Sequence, residues 1–398
     1  MKRFFVILAF LLASCTGGQT PFSEETPVPE ETPAMQPVYA FAEAIESGDE
    51  IIPVFHTTVK LETLSQEDMD LLYPVFNEKV QHLSKLFDRY HSYEEEGIAG
   101  IYTINHSVGT PVHVEAELYE ALRAGRDLTI LTNGKYNLTV GRLYDVWADL
   151  FSPFPIEQED PDPALINEAL GCVVKPQDLD NVLIFDDEEQ TVTLMPYESC
   201  SSSPVIDAGA LAKGYASEKI YDELKQYGRP FLLNAGSSSI AAYAPDDQPR
   251  TWHVGARNPY ARVYTLYDFA INSTGLVSTS GDDSSYFILK GDNSVIRHHI
   301  LDPDTGYPNN YIRTNTVMTD RGGLAADVLT TALFNCSTNE ERLELIRTVS
   351  DYFDTDISWS WFVQTAEEQG ILYTSESFRT QIIEASVSEN IIQTEVLP

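Results

Sequence analysis

Apolar and polar positions alternate along Thr57-Thr58-Val59-Lys60-Leu61-Glu62-Thr63-Leu64 with the period of a half-buried strand, which places the start of the folded chain near Ile51. Ser65 then caps a helix with Asp68 in its first turn. Pro74 lacks the N–H that a helix interior uses, so it is expected to divide that stretch and leave the main helix over Val75 to Tyr90. Further helices are predicted over Glu115 to Gly125 and Asp162 to Leu170, with the acidic, proline-bearing segment Glu157 to Pro163 as a solvated loop. From Asn181 the period shortens. Val182 to Phe185 and Thr191 to Leu194 read as a β-hairpin, followed by a helix from Ala210 to Tyr227 that stops at Gly228. Strands are predicted at Phe231 to Leu233, Trp252 to Val254, Val263 to Asp268 and Tyr286 to Leu289. Strands and helices mix without strict alternation and there is no internal repeat, so the fold class is α+β with a mostly antiparallel sheet.

The first residues follow a different logic. Lys2 and Arg3 precede an apolar run from Phe4 to Leu12, then Ala13, Ser14 and Cys15. That is the three-part pattern of a secretory signal, too short to span a bilayer. Leu12-Ala13-Ser14-Cys15 resembles the bacterial lipobox, so residues 1–14 are expected to be a lipoprotein signal peptide and Cys15 the lipidated residue of the mature chain. Residues 15–50 are rich in proline and glutamate near their start and read as a disordered, self-repelling tether. Residues 51–398 form the folded domain. The reading puts the protein on the extracytoplasmic face of a cell membrane.

Composition narrows the partners. Lys and Arg total 25 against 61 Asp and Glu, a formal net charge of -36, which excludes nucleic acid. A phosphorylated ligand would need local neutralisation by a metal ion, a lone cation or a helix N-terminus. Cys172, Cys200 and Cys336 have no metal-type spacing, and one disulfide plus a thiol or three thiols are equally allowed.

Three stretches carry candidate chemistry. In Ile206-Asp207-Ala208-Gly209-Ala210-Leu211-Ala212-Lys213-Gly214-Tyr215 a strand becomes a helix, so free N–H groups and Lys213 are expected to face an anion, with Asp207 as a possible partner of Lys213. An N-capped helix with a solvated lysine has the same pattern. In Ala326 to Leu333, Asp327 and Thr331 lie four residues apart and stack a carboxylate beside a hydroxyl, two hard oxygens that suit Mg²⁺. The same Asp327 also reads as the start of a buried helix. In Arg297 to Pro308, His298 and His299 precede an Asp-Pro-Asp-Thr-Gly turn, and strand alternation lets only one of them enter a given site. There is no GxGxxG and no P-loop, which argues against those nucleotide sites.

Taken in order, these segments resemble the ApbE family, the FAD:protein FMN transferases. The resemblance rests on Thr57-Thr58-Val59, on Gly134-Lys135-Tyr136-Asn137-Leu138-Thr139-Val140-Gly141 with Trp147, and on Asp207 to Tyr215. It continues through Asn234-Ala235-Gly236, Trp252-His253-Val254-Gly255, Thr279-Ser280-Gly281, His299 to Pro308, and Asp327 with Thr331. It implies a T-fold-like domain that binds FAD and Mg²⁺ and passes FMN to a Thr or Ser hydroxyl of an acceptor protein, releasing AMP. By resemblance, Asp327, Thr331 and the backbone carbonyl of Ala210 hold Mg²⁺. Asp207, Lys213, Phe55, Asn137 and Ile300 contact the flavin nucleotide, and His299 is the base. The acceptor would be a flavoprotein of an extracytoplasmic redox system. The chain departs from the family pattern at Asn137, where the family has Asp, at Ser237 and Ser238, and at Phe55-His56, where Met-Gly is usual. A metal-dependent FAD pyrophosphatase and a non-enzymatic flavin-binding lipoprotein are the competing readings.

Overall fold

Nine strands make up the main sheet of the computed structural model, which describes residues 37–47, 50–261 and 263–398. The expected signal peptide, Cys15 and the proline-rich part of the tether lie outside the described residues. The strands are β1 (Val38–Phe41), β2 (Val59–Thr63), β3 (Phe231–Ala235), β4 (Ser239–Tyr243), β5 (Gly275–Gly281), β6 (Thr314–Thr319), β7 (Ile357–Ala366), β8 (Gln369–Thr374) and β9 (Ile391–Val396). Their order in the sheet is their order in the chain. Every neighbouring pair is antiparallel except β8 with β9, as the mixed pattern predicts.

The folded part begins before Ile51. Val38 to Phe41 pairs with Lys60 to Thr63, so the open edge that β2 would otherwise present is covered. Ile45–Ser47 and Glu50–Ile52 add a small hairpin, and the end of the expected tether is therefore structured.

The helices that matter for the site are α1 (Gln66–Phe87), α2 (Ala116–Leu131), α3 (Gly141–Trp147), α4 (Ala212–Leu224), α5 (Gly323–Phe334) and α6 (Asn339–Phe353). Ser65 caps α1 by accepting from Asp68 N at 3.1 Å. Contrary to the expected break, α1 runs through Pro74. A proline inside a helix costs about 3 kcal/mol. Met69, Leu72, Phe76, Val80 and Leu83 lie on one buried face on both sides of it, each contributing about 1.5–3 kcal/mol when removed from water. Burial outweighs the lost bond, and Pro74 sits on the exposed side where water can take up the freed carbonyl.

Successive residues of the central strands serve two cores. Leu233, Ala241 and Leu276 face Leu72, Phe76, Tyr215 and Leu329 of α1, α4 and α5. Leu232, Ile240 and Val277 face the other way, onto Phe269 and Phe378, where the hairpin Thr251–Arg257 with Thr265–Asn272 covers the sheet. A third cluster joins Trp147, Phe287 and Leu301, and Trp147 Nε1 donates to the Gly306 carbonyl at 3.1 Å. That bond pins the Asp302–Pro308 turn, where Gly306 takes the left-handed conformation (φ 79°) and its N–H closes onto the Asp302 carbonyl at 2.8 Å. Of the two cysteine arrangements left open, the structure has Cys172 bonded to Cys200, with Cys336 a buried thiol.

Candidate active site

One cavity of about 960 Å³ collects the chemistry. Phe55, Asn137, Asp207, Ala210, Lys213, His299, Ile300, Asp327 and Thr331 all line it, so the residues implied by the resemblance share one space, from which only His298 of the candidate pair is absent.

A cradle of oxygens forms where α4 meets α5. The helix begins at Ala212, two residues later than the pattern predicts. In a continuing helix the Gly214 N–H would close onto the Ala210 carbonyl. It donates instead to Asp327 Oδ2 at 2.9 Å, which orients the carboxylate and leaves the Ala210 carbonyl outside the helical ladder. Ser239 Oγ donates to Asp327 Oδ1 at 3.3 Å. The two helices touch through glycines: a Cβ on Gly214 would lie 2.2 Å from the Gly323 oxygen and 2.5 Å from Asp327 Cβ. Asp327 is buried, and burial raises its pKa against the opposing pull of Lys213. Thr331 follows one turn on. A carbonyl, a buried carboxylate and a hydroxyl are hard donors that fit a divalent cation of the Mg²⁺ type, which fills its other positions with water or phosphate oxygens. A second acidic group, His82 with Glu115 and Glu117, lies away from the cavity, and Glu117 already pairs with Lys79 at 2.5 Å.

Asp207 and Lys213 do not pair. Asp207 Oδ1 accepts from Gly209 N at 2.8 Å, and its Oδ2 lies 2.8 Å from Arg89 Nε. Lys213 Nζ donates to the Gly209 carbonyl at 3.0 Å. Arg89 was not among the candidates, because a single arginine after an amphipathic helix has no distinguishing pattern. Its guanidinium is buried, spans Asp207 and Asp145, and stacks 4.4 Å over Tyr90. Burial opposes its charge, but Asp207 and Asp145 outweigh that and raise its pKa. Asp207 therefore meets the cavity as part of an ion-paired turn that presents Ala208 to Ala210.

The two histidines take opposite faces, as strand alternation predicts. His298 is fully buried against Phe334, with Nε2 on the Asn309 carbonyl at 2.7 Å and Nδ1 accepting from Ile300 N at 3.3 Å. His299 lines the cavity, and its Nδ1 lies 3.3 Å from the Ser285 carbonyl. A carbonyl only accepts, so Nδ1 carries the proton and the neutral ring keeps a lone pair on Nε2. Burial pushes the pKa of His298 down to about 3 and that of His299 to about 4.

Two of the departures from the expected pattern, Asn137 and Phe55-His56, have local explanations. The Asn137 side chain donates to the Val174 carbonyl at 2.8 Å and accepts from Thr139 N and Oγ1 at 2.9 and 2.8 Å. It braces the cavity wall, and a carboxylate could not make the first of these bonds. Phe55 and His56 both adopt left-handed backbone (φ 49° and 53°), which costs a non-glycine residue about 1–2 kcal/mol. Ser84 Oγ holds Phe55 N at 2.8 Å, and the His56 ring meets the edge of Tyr90 at 5.3 Å.

An α+β fold that brings an oxygen cradle, a lysine and a neutral histidine to one large cavity has the parts of a metal-assisted phosphoryl-transfer site. The chain belongs to the ApbE family, whose profile matches residues 55–353. It is 28% identical over 234 residues to a FAD:protein FMN transferase of Klebsiella pneumoniae, covering 58% of this chain and 66% of the relative. A FAD:protein FMN transferase of Haemophilus influenzae is 23% identical over 245 residues, covering 61% of this chain and 67% of the relative. The fold of this chain is similar to that of the ApbE protein of Thermotoga maritima, with a TM-score of 0.67 at 22% identity over 87% of this chain and 99% of the other. The flavin transferase ApbE of Vibrio cholerae gives a TM-score of 0.61 at 19% identity, over 87% and 99%.

Proposed function

We propose that the chain transfers FMN from FAD to a Thr or Ser hydroxyl of an acceptor flavoprotein, with Mg²⁺ as cofactor and AMP as the second product. The observation that carries this reading is the diversion of the Gly214 N–H to Asp327, which orients the carboxylate and leaves the Ala210 carbonyl out of the helical ladder on a cavity that Thr331 also lines, in a chain of the ApbE family. Bound there, the metal would neutralise and align the diphosphate. Lys213 would hold a phosphate oxygen. His299 would take the acceptor hydroxyl proton on Nε2 as the oxygen bonds to the FMN phosphorus and the bond to the AMP phosphate breaks. Purified chain with FAD, Mg²⁺ and a candidate acceptor is expected to give a covalently fluorescent acceptor and one AMP per flavin transferred. Tight FAD binding with no transfer to any acceptor contradicts the reading, and AMP formed without an acceptor assigns a FAD pyrophosphatase.

His299→Asn is expected to lower the transfer rate by about 10²–10⁴, the usual worth of a positioned base. It also bears on stability. Both histidines stay neutral in the folded chain, whereas in the unfolded chain they titrate at about 6.5. The unfolded state therefore takes up protons that the folded one refuses, so stability is whole above that pH and falls as pH drops toward 4. Thermal melts from pH 7.5 to 4.5 should show the decline, shallower in His299→Asn, and identical slopes for the two proteins would contradict the assigned protonation.

The same proposal places the chain on the extracytoplasmic membrane face, anchored through lipid on Cys15 and acting on an extracytoplasmic redox system. The Cys172–Cys200 disulfide supports an oxidising compartment, and no helix among the described residues is long and apolar enough to cross a membrane. Cys15→Ser is expected to move the chain from the membrane fraction to the soluble one, and unchanged retention contradicts the anchor.

A further inference from the structure

The net charge of -36 makes the placement of each cation informative. Among the described residues, lysines divide sharply. Lys60, Lys79, Lys85, Lys175, Lys219, Lys225 and Lys290 each lie within 3.5 Å of a carboxylate oxygen. Lys135 and Lys213 do not, and these two line the same cavity. Lys213 rests on the Gly209 carbonyl. The carboxylate nearest in charge to Lys135 is Glu341, whose pKa Lys135 helps to lower, but it lies beyond ion-pair distance and is committed to Ser337 and Thr338, accepting from Ser337 N at 2.6 Å and Thr338 N at 3.3 Å in the cap of α6. In a chain with more than twice as many acidic as basic residues, a lysine on a cavity wall with no carboxylate within 4.0 Å among the described residues has its ammonium open to an anionic ligand.

The backbone under Lys135 is rigid, which turns a flexible side chain into a usable contact. Lys135 N donates to the Thr132 carbonyl at 3.0 Å, and the Lys135 carbonyl accepts from Asn335 Nδ2 at 2.9 Å. Asn335 also donates to the Leu301 carbonyl at 3.1 Å, so the base of Lys135 is tied to the segment that follows His299. Gly134 before it adopts the left-handed conformation (φ 82°) and the Tyr136 ring after it is buried. The side chain thus leaves a fixed point on the wall of the cavity that Lys213 also lines.

We infer that Lys135 is a second phosphate-binding cation, joining Lys213 in holding the diphosphate bridge of a dinucleotide. The inference rests on the flavin-dinucleotide reading for its ligand but not on transfer, because binding alone tests it. A charged hydrogen bond to phosphate is worth about 1.5–3 kcal/mol, so Lys135→Gln is expected to weaken FAD binding by about 10- to 100-fold, read by quenching of flavin fluorescence on the full chain. Losing one ionic contact should also flatten the dependence of FAD affinity on salt, and ADP, which keeps the diphosphate and lacks the flavin, should weaken by a similar factor. Lys135→Arg, which restores the charge, should recover most of the loss. Lys175→Gln, removing a lysine already paired with Asp304 outside the cavity, serves as the control and should change FAD affinity little. A loss below tenfold, or one that leaves the salt dependence unchanged, overturns the inference. If Lys135→Gln weakens FAD and ADP as expected while the wild-type chain transfers no flavin, the phosphate contact stands and the transferase reading falls.

Discussion

Asp327→Asn is expected to abolish transfer while leaving the fold as stable as before, or more so. The two effects have one cause. Asp327 is a carboxylate buried at the contact of α4 and α5, and burial raises its pKa, which means the folded state bears a cost for keeping it charged. Asparagine has nearly the same shape. Its oxygen can still accept from Gly214 N, so the helix contact survives and the desolvation cost disappears. What is lost is the only negative oxygen pair of the cradle, and with it the means of holding a cation against a diphosphate. A metal's charge stabilisation is worth several kcal/mol, so the transfer rate should fall by at least about 10³. Thermal melting and turnover measured on one preparation check both halves. A variant that loses both together would show that Asp327 is chiefly structural, and one that keeps turnover and FAD binding would favour the non-enzymatic flavin-binding protein.

Gly214→Ala is expected to do the reverse and damage the fold first. The added methyl would sit 2.2 Å from a backbone oxygen of Gly323 and 2.5 Å from Asp327 Cβ, distances no real Cβ adopts. Neither neighbour is the loose end of a side chain, so α4 and α5 must separate. Overpacking of this kind typically costs about 1–3 kcal/mol, and a clash with two backbone-linked atoms belongs at the upper end or beyond. The midpoint of urea unfolding should drop accordingly, and FAD affinity with it. Gly323→Ala should behave alike, since its Cβ would lie 2.5 Å from the Gly214 oxygen. A stable Gly214→Ala protein with normal activity would contradict the close helix contact on which the cradle depends.

The parts of the site that were legible in the chain share a local grammar. Asp327 and Thr331 are one helical turn apart, His298 and His299 take opposite sides where a strand ends, and the Asp-Pro-Asp-Thr-Gly run closes the turn that Gly306 completes. Each needs only its own few residues to be understood. What escaped depends on pairs distant in the chain. Asp207 looked like a partner for Lys213 six residues on, yet Arg89 reaches it from the end of α1 and outcompetes the lysine. No short-range pattern announces that. Pro74 reads as a break by any local rule, and only the buried face on both sides of it keeps α1 whole. Val38 to Phe41 belongs to the sheet because β2 offers an edge, a fact about the assembled fold. The start of α4 at Ala212 was set from outside, by an acceptor on α5 that takes the Gly214 N–H.

The direct test of the cradle is a crystal of the chain grown with FAD and Mn²⁺ in place of Mg²⁺, examined by anomalous scattering at the manganese edge. The account predicts a peak about 2.1 Å from an Asp327 carboxylate oxygen, the Thr331 hydroxyl and the Ala210 carbonyl, the distance hard octahedral cations keep, with phosphate oxygens and water filling the other positions. A peak found instead at His82, Glu115 and Glu117, or a cradle left without metal while FAD fills the cavity, would contradict it.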